Sequence, residues 1–476
     1  MDGWINYKER CELLGSWTQS ILIHTMAPRI RIAVIGAGIG GLVFAVALHK
    51  LSQNVEVDVY ESAAQFTEIG AGIGISGRVW EILQWLDLAE GLRPYAHIFG
   101  LPIRYRKADQ AEGIDISTTL SNSFITFRRT DVQGVLCKNL PPSVRVHFLK
   151  RFTSYTRLDT GAIKIHYTDG TTATCDCLVG CDGIRSTVRT TMLNTLAIDM
   201  QQAGQQEEAA MLLSRANPIW TGTLLYRSLV PWAAFAREFP GHRALTDSML
   251  YMGKNKHLIV YPVGNGDEAK LNVGAAIGNP HLEGTKYGGP WVAPAAKDEI
   301  LEQFSHFEPA VKAIIERMED ISLWALHVAP PLPTHVHDRV ALVGDAAHAM
   351  TPFQGAGAGQ AIEDAYILAS MLAHPMVTLE TLPLALQVYD EIRRPFAQDI
   401  QKKSRESGLL IQFNTPDFAK YTVNESAAGG IGADVVEEIG KRQRELSEWS
   451  DNTSLIDDVE RAKGLLDERM ASFVNV

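Results

Sequence analysis

The sequence predicts an α/β fold in which a parallel sheet lies between helices, a mixed β-sheet is inserted, and helices follow at the C-terminal end. An apolar run at residues 32–35 precedes a glycine-rich turn and a helix-like stretch, which is typical of a βαβ unit. Apolar, β-branched and aromatic runs over about 218–280 indicate a second, β-rich region. Helix-like stretches at 357–373 and 384–408 complete the pattern, with a stop or kink expected near Pro395.

The first glycine turn has the spacing of a dinucleotide-binding loop. Gly36, Gly38 and Gly41 spell G-x-G-x-x-G. The first glycine permits the tight turn, the second lets backbone approach a pyrophosphate, and the third lets the helix pack closely on its strand. A second strand at 55–60 ends in Glu61, about 20 residues after the last glycine, where a ribose hydroxyl needs an acceptor. We therefore expect a bound dinucleotide, with phosphates at the helix N-terminus.

Residues 70–77 contain a second G-x-G-x-x-G, but no strand clearly precedes it. We expect a loop whose backbone passes close to something flat or bulky, followed by a helix at 78–86. Four runs between 144 and 179 predict a β-meander, and the polar stretch 199–214 predicts a surface insertion.

Size and charge limit the classes of function. At 476 residues, two domains or one large domain with an inserted sheet are expected. Lys+Arg 44 against Asp+Glu 55 gives a net charge of −11, which argues against nucleic acid as the main partner. No apolar run reaches the ~18–20 residues that span a bilayer. Residues 1–25 lack the apolar core of a secretory signal, and we expect an extension with little role in the fold.

The chain has five cysteines, and this odd number in so long a sequence argues against a disulfide framework. Cys175, Cys177 and Cys181 are close enough in sequence to suggest a metal site. No histidine or fourth thiol lies at ligand spacing, so we favour small core residues. A reducing compartment follows, and we expect a cytoplasmic protein.

Two aspartates follow short buried strands. Asp182 stands in Gly-Cys-Asp-Gly, and Asp345 stands in Gly-Asp-Ala-Ala-His. Each carboxylate can accept from ribose or ribityl hydroxyls, although each alone can equally be a helix cap. The run 355–359 then opens a helix whose N–H groups can approach an electron-rich ring oxygen. His348 is expected to cap or pack its loop, and His335 and His337 are expected to be solvated.

Together these motifs resemble those of the single-component flavoprotein aromatic hydroxylases, the salicylate- and para-hydroxybenzoate-hydroxylase-like monooxygenases. The matching segments lie at 36–41 with the acidic residue 61, at 180–189 and at 344–359, within a resemblance that covers about 30–412. The resemblance implies that the first motif binds the ADP part of FAD. It also implies that the Asp-Gly motif serves FAD and NAD(P)H, and that the Gly-Asp motif binds the flavin ribityl and pyrophosphate.

Carried over residue by residue, the resemblance places Asp345 against ribityl or pyrophosphate, and Gly357 and Ala358 beside the isoalloxazine. Arg129, in R-T-D-V, matches the family's R-x-D-L position near the flavin phosphates. Gly74 falls in the loop that runs beside the flavin.

The implied reaction reduces FAD with NADPH or NADH and forms a flavin C4a-hydroperoxide from dioxygen, which hydroxylates a deprotonated phenol. The substrate is expected to be salicylate-like or a polyketide phenol of secondary metabolism; plain hydroxylation, decarboxylation and dearomatisation all stay open. The alternative is a flavin oxidase or reductase that does not insert oxygen, and a third interpretation is a non-enzymatic nucleotide-binding module. NAD(P)H is expected to bind without a Rossmann domain of its own.

Arg227 and Tyr261 are the candidate catalytic residues. Both lie in predicted strands, and the fungal phenol-dearomatising hydroxylases, to which these strands are similar, use an arginine and a tyrosine in such places. An arginine facing the pocket would stabilise a phenolate or carboxylate, and a tyrosine could hydrogen-bond that oxygen or relay its proton. The alternative is that Arg227 pairs with a surface acid and Tyr261 is a core aromatic with a wet end.

The expected organisation has four parts. They are an N-terminal extension at 1–28, a Rossmann-like FAD-binding domain at 29–100, 128–200 and 335–412, a substrate-binding β-sheet domain at 101–127 and 201–334, and a C-terminal helical segment at 413–476. The C-terminal helices either pair in a homodimer or pack on the chain itself.

Overall fold

A computed structural model describes residues 29–66, 72–96, 103–119 and 125–474. The expected N-terminal extension and the first two residues of the second glycine run lie outside the described residues. The strands, in chain order, are β1 Ile30–Ile35, β2 Val55–Tyr60, β3 Gly72–Ile75, β4 Ile103–Lys107, β5 Ile114–Thr119, β6 Ile125–Arg128, β7 Arg145–His147, β8 Phe152–Arg157, β9 Ile163–Tyr167, β10 Thr172–Cys175, β11 Cys177–Gly180, β12 Ile219–Pro231, β13 Ser248–Gly253, β14 Lys256–Val263, β15 Lys270–Gly278, β16 Val292–Pro294, β17 Ser322–Val328, β18 Val336–His337 and β19 Val340–Leu342.

The α-helices of the described residues alternate with these strands and dominate the C-terminal part. They are α1 Ile39–Leu51, α2 Gly77–Trp85, α3 Ala89–Leu92, α4 Arg129–Lys138, α5 Thr187–Gln202, α6 Gln206–Ser214, α7 Trp232–Glu238, α8 Lys297–Gln303, α9 Pro309–Glu316, α10 Asp345–His348, α11 Gly357–Leu372, α12 Leu382–Ile411, α13 Val423–Ala427, α14 Ala433–Ser447, α15 Trp449–Asn452 and α16 Leu455–Val474. None of the helices in these ranges has the length and apolar character needed to cross a membrane.

The first sheet has six strands in the order β18-β19-β11-β1-β2-β7, and all neighbours except β18 and β19 are parallel. Strand β1 is central because both of its faces are apolar. Ile32 and Val34 pack into one core with α1 and α11, while Ala33 and Ile35 pack into a second core with α5. A continuous apolar run is what a strand covered on both faces requires. The predicted α/β fold class is confirmed, with the doubly covered parallel sheet at its centre.

The second sheet has eight strands in the order β16-β17-β12-β15-β14-β13-β4-β5. Its long central strands are antiparallel, so alternate side chains face opposite sides. One face, which includes Tyr226 and Val273, packs on helices α8 and α9. The other face includes Arg227, Tyr261 and Gly274, and its far end is covered by the end of α12 and by α14.

The structure corrects several local predictions. Residues 72–75 form strand β3, paired antiparallel with β6, where only a loop was expected. The partner strand lies about 50 residues further along the chain, and the buried side chains of Ile73 and Ile75 anchor the pair, so local sequence gives little sign of it. The expected 144–179 meander is divided: β7 and β11 join the parallel sheet, and β8–β10 form a separate three-stranded sheet.

Two further segments are more helical than expected. The polar stretch 199–214, expected to be a surface insertion, is largely exposed and contains the end of α5 and the whole of α6. Helix α12 is a single helix of 30 residues that contains Pro395, so the helix does not stop there. Packing on both sides of Pro395, with Ile392 and Ala397 buried, offsets the lost backbone hydrogen bond. The division of the chain into domains stays a prediction.

Candidate active site

Four predicted motifs meet along one edge of the six-stranded sheet. They follow the carboxyl ends of β1, β2, β11 and β19, which are neighbouring parallel strands in the order β2-β1-β11-β19. Parallel strands present their carboxyl ends at the same edge, where open α/β sheets bind ligands. Motifs that are about 300 residues apart in the sequence therefore lie along one edge.

The first glycine turn has the stereochemistry that its spacing predicts. Gly36 has a φ of +105°, and a Cβ there would lie 2.4 Å from the carbonyl oxygen of Cys181. A Cβ on Gly41 would lie 2.2 Å from the carbonyl oxygen of Gly36, so the helix and the turn touch through backbone alone. At Gly38, the residue before α1, a Cβ would meet nothing within 4 Å. The turn is closed behind by the protein and open in front of the helix N-terminus.

Two of the predicted carboxylates are engaged by backbone N–H groups. Glu61 accepts from the N–H of Ala37 at 2.9 Å and from the N–H of Ala63 at 2.8 Å, which ties the end of β2 to the glycine turn. Asp182 accepts from the hydroxyl of Ser186 at 2.5 Å and from the N–H groups that open α5 at 2.8 and 3.0 Å. Burial raises the pKa of Asp182, and these donors oppose that rise. Its visible role is helix capping, and its role toward a cofactor stays a prediction.

Asp345 is different, because it is exposed and its carboxylate has no hydrogen-bond or ion-pair partner among the described residues. It opens the short helix α10 after Gly344, whose φ is +63°. A Cβ on Gly357 would lie 4.0 Å from Oδ1 of Asp345, so the Gly-Asp turn and the start of α11 are adjacent. Ala358, half-buried, packs against the main core from that first turn.

A buried ionic cluster supports the Gly-Asp turn from behind. Asp364 accepts from the Gly344 N–H at 3.0 Å, from Nε2 of His348 at 2.6 Å and from Nε of Arg393 at 2.8 Å. Burial alone would raise the pKa of Asp364, but the charges of His348 and Arg393 hold it well below its usual value. His348 thus packs its loop, as expected. The solvated position expected for His335 is wrong, because its imidazole is fully buried beneath the same turn.

The eight-stranded sheet brings the two candidate catalytic residues onto one face. Tyr261 is opposite Asn272, and Arg227 is opposite Gly274, two residues along the same strand β15. Arg227 is half-buried and has no acidic partner among the described residues. Burial lowers the pKa of Arg227, the neighbouring Tyr261 raises it, and the like charge of Arg129 lowers it. Burial raises the pKa of Tyr261, which keeps its hydroxyl protonated.

Tyr261 lies directly against the strand that carries Gly74. A Cβ on Gly72, the first residue of β3, would lie 2.6 Å from the Tyr261 hydroxyl oxygen. The Gly72 N–H donates to Oδ1 of Asn272 at 3.0 Å, which holds β3 on the eight-stranded sheet. Gly74 pairs with Thr126 in β6, and Arg129 begins the helix that follows β6. The predicted flavin-side and substrate-side residues therefore meet at β3.

The close approach expected of the glycine run 70–77 is seen where Gly72 meets the Tyr261 ring. Sequence reasoning missed two other residues of this region, Asn272 and Trp324. Asn272 carried a signal, because an amide in the middle of the apolar run L-N-V-G-A-A needs a buried partner. Trp324 carried none, since its position beside Arg227 depends on the register between β12 and β17. Cys175 and Cys177, expected to be small core residues, are free and buried thiols. The described part of the chain holds no cluster of three or more potential metal ligands.

The arrangement fits an extended dinucleotide such as FAD. The open space in front of Gly38 suits a pyrophosphate at the N-terminus of α1, and the unpaired Asp345 carboxylate suits a polyol hydroxyl. A family model described as "FAD binding domain" matches residues 29–217 and 292–404. The chain belongs to this FAD-binding family.

An FAD-dependent monooxygenase named str9 from Strobilurus tenacellus is 33% identical over 93% of this chain and 99% of its own length. A salicylate hydroxylase from Pseudomonas putida is 33% identical over 81% of this chain and 87% of its own. A solved structure of a salicylate hydroxylase substrate complex covers 91% of this chain and 98% of that chain, with a TM-score of 0.74 and 29% identity. The chain is an FAD-dependent monooxygenase of the salicylate-hydroxylase type, and the resemblance predicted from the motifs is confirmed.

Proposed function

We propose that this monooxygenase uses NADPH or NADH and dioxygen to hydroxylate a phenolic ring, and that Arg227 and Tyr261 bind the oxygen of the phenol. The observation that carries the proposal is a half-buried arginine without an acidic partner in the described residues, on the same sheet face as a tyrosine hydroxyl that has none either. An unneutralised buried cation is costly unless an anion arrives to pair with it. A phenolate or carboxylate is such an anion.

Each part of the site has a distinct task in this proposal. The turn at Gly36–Gly41, Glu61 and Asp345 would hold FAD, with Gly74, Arg129, Asp182, Gly357 and Ala358 along its length. Bound FAD, once reduced, supplies the activation of dioxygen. The protein's own residues bind the ring, orient it and exclude water.

Arg227 and Tyr261 act on the proton and charge of the phenol. The Arg227 cation stabilises the phenolate relative to the phenol, which lowers the pKa of the substrate and raises its nucleophilicity. Tyr261 keeps its own proton and donates a hydrogen bond to the same oxygen. Because the Tyr261 ring lies against Gly72, that oxygen would be held close to β3, on the side where the flavin is expected.

The names of two relatives suggest which phenols to test first. Besides the salicylate hydroxylase, a 6-methylsalicylate 1-monooxygenase from Aspergillus terreus is 32% identical over 82% of this chain. We propose salicylate-like acids and polyketide phenols as the substrate class, and plain hydroxylation, decarboxylation and dearomatisation as the three outcomes that the test must distinguish.

The test is a panel of such phenols with the FAD-loaded enzyme, NADPH or NADH, and ¹⁸O₂, with product masses recorded. We expect phenol-stimulated NAD(P)H oxidation and one labelled oxygen atom in the product. Product mass also separates plain hydroxylation from loss of carbon dioxide. Rapid NAD(P)H oxidation that yields only hydrogen peroxide with every phenol would overturn the proposal and favour an oxidase or reductase.

A further inference from the structure

The side chain of Arg227 is held in an unusual way for a half-buried arginine. Its direct neighbours across the sheet are Gly274 on β15 and Ser322 on β17, which offer little or no side chain to pack against. Its guanidinium instead lies over the ring of Trp324, with Cζ 5.7 Å from the ring centroid. Trp324 is the diagonal neighbour on β17, directly opposite Leu225. A diagonal position is within reach of an aromatic side chain on the same sheet face.

The indole itself is fixed by a hydrogen bond. Nε1 of Trp324 donates to Oγ of Ser322 at 3.0 Å, which sets the ring plane relative to β17. A chain of contacts therefore runs from Ser322 through Trp324 to Arg227. A ring face attracts a cation through its quadrupole but carries no net charge, so it orients the guanidinium without neutralising it. A carboxylate in the same place would orient Arg227 equally well and would compete with the substrate anion.

Other arginines on the same sheet show the contrast. Arg106 on β4 donates to both oxygens of Glu308, at 2.7 and 2.9 Å. Arg104 donates to Asp247 at 2.7 Å. These cations are neutralised by acids, and Arg227, which lies on the proposed substrate face, is instead placed against an indole.

We infer that Trp324 is a positioning residue that aims the Arg227 guanidinium at the substrate anion through a cation–π contact. This inference rests on the proposed function of Arg227 as the substrate-anion contact. Trp324 acts through Arg227, so its contribution disappears when the cation is absent.

The experiment is a double-mutant cycle on the FAD-loaded enzyme, with a phenol that gives labelled product. The variants are Trp324→Leu, Arg227→Met and the two together, with Trp324→Phe as the conservative variant. We expect Trp324→Leu to raise KM about fivefold with a smaller change in kcat, and Trp324→Phe to stay within about twofold of the parent. In the Arg227→Met background, Trp324→Leu should change KM by less than about twofold, because the cation that it orients is gone.

A matched control and a second route keep the test decisive. Phe239 makes a similar contact, because Cζ of Arg317 lies 5.8 Å from its ring centroid. Arg317 is already paired with Glu238, so Phe239→Leu should leave KM unchanged. If Trp324→Leu fails to fold or to retain FAD, Ser322→Ala, which frees the indole, carries the test and should raise KM about twofold.

The outcomes separate the two claims. A KM for Trp324→Leu equal to that of the parent overturns the inference, as does an effect of the same size with and without Arg227. An Arg227→Met variant with the KM and kcat of the parent instead overturns the proposed function of Arg227, and the inference with it.

Discussion

The carboxyl edge of the six-stranded sheet, where we propose that FAD binds, and the face of the eight-stranded sheet that carries Arg227 and Tyr261 differ in how their polar groups are satisfied. At the edge, Glu61 and Asp182 already accept hydrogen bonds from nearby backbone N–H groups, so most of the site is built and rigid. On the face, the Arg227 guanidinium and the Tyr261 hydroxyl have no hydrogen-bond or ion-pair partner among the described residues. We infer that the edge is preorganised for one constant cofactor, whereas the face is left unsatisfied for a substrate that arrives and departs.

The largest effect is expected at the glycine turn, where two neighbouring glycines should behave differently. Gly36→Ala would place a Cβ 2.4 Å from the Cys181 carbonyl in a left-handed conformation, and we expect loss of FAD binding together with a marked loss of stability. Gly38→Ala meets no protein atom within 4 Å, so the free energy of unfolding of the apo protein should change by less than about 1 kcal/mol.

The discriminating measurement is the FAD dissociation constant of the Gly38→Ala apo protein beside its thermal unfolding curve. A Cβ that projects into the pyrophosphate space should weaken FAD binding while the unfolding curve stays in place. Unchanged FAD affinity would show that the space in front of Gly38 is not the pyrophosphate site.

The next effect is expected where the two regions meet. Gly72→Ala would place a Cβ 2.6 Å from the Tyr261 hydroxyl and 3.0 Å from the Asn272 side chain, which displaces Tyr261. We expect kcat to fall about 10²-fold with little loss of bound FAD, since misplacement by about 1 Å costs that much. Gly134→Ala is the matched control, because a Cβ there meets nothing. If Gly72→Ala and Gly134→Ala have the same kcat, Tyr261 does not contribute to the reaction.

A smaller effect is expected in acid, on stability rather than on activity. Burial lowers the pKa of His257 to about 3, whereas the unfolded chain has a histidine pKa of about 6.5. Between these values the unfolded state binds the extra proton, so this group destabilises the fold as pH falls from 7 to 5, by about 2 kcal/mol. His257→Gln should therefore lose about 2 kcal/mol less than the parent over that range in denaturant titrations. Parallel losses would show that His257 titrates normally.

The two regions also differ in what the sequence could reveal. The turn at Gly36–Gly41 and the turns at Asp182 and Asp345 are local motifs, in which spacing alone determines the backbone, so their meeting at one edge was predictable. The position of Trp324 beside Arg227, and of Gly72 over Tyr261, depends on register between strands that are far apart in the sequence. A shift of one residue would turn Arg227 to the opposite face, and nothing in a single strand excludes that.

The same reason explains the missed elements. Strand β3 depends on β6 for its hydrogen bonds, and β11 separates from β10 at Asp176, where Arg31 on β1 binds the carboxylate at 2.7 Å. Helix α12 passes through Pro395 because packing outweighs the local preference. In each case a contact with a residue far away in the sequence determines the secondary structure, and the local sequence preference does not.

The proposed binding of an ionised phenol at Arg227 can be measured as the pKa of a bound phenol, read from phenolate absorbance in the oxidised enzyme without NAD(P)H. We expect that pKa to lie at least one unit below the value of the free phenol in the parent enzyme, which is about 1.4 kcal/mol of preference for the anion. In Arg227→Met it should return to the free value or above it, because burial without the cation disfavours the anion. The same bound-phenol pKa in both proteins would contradict the claim.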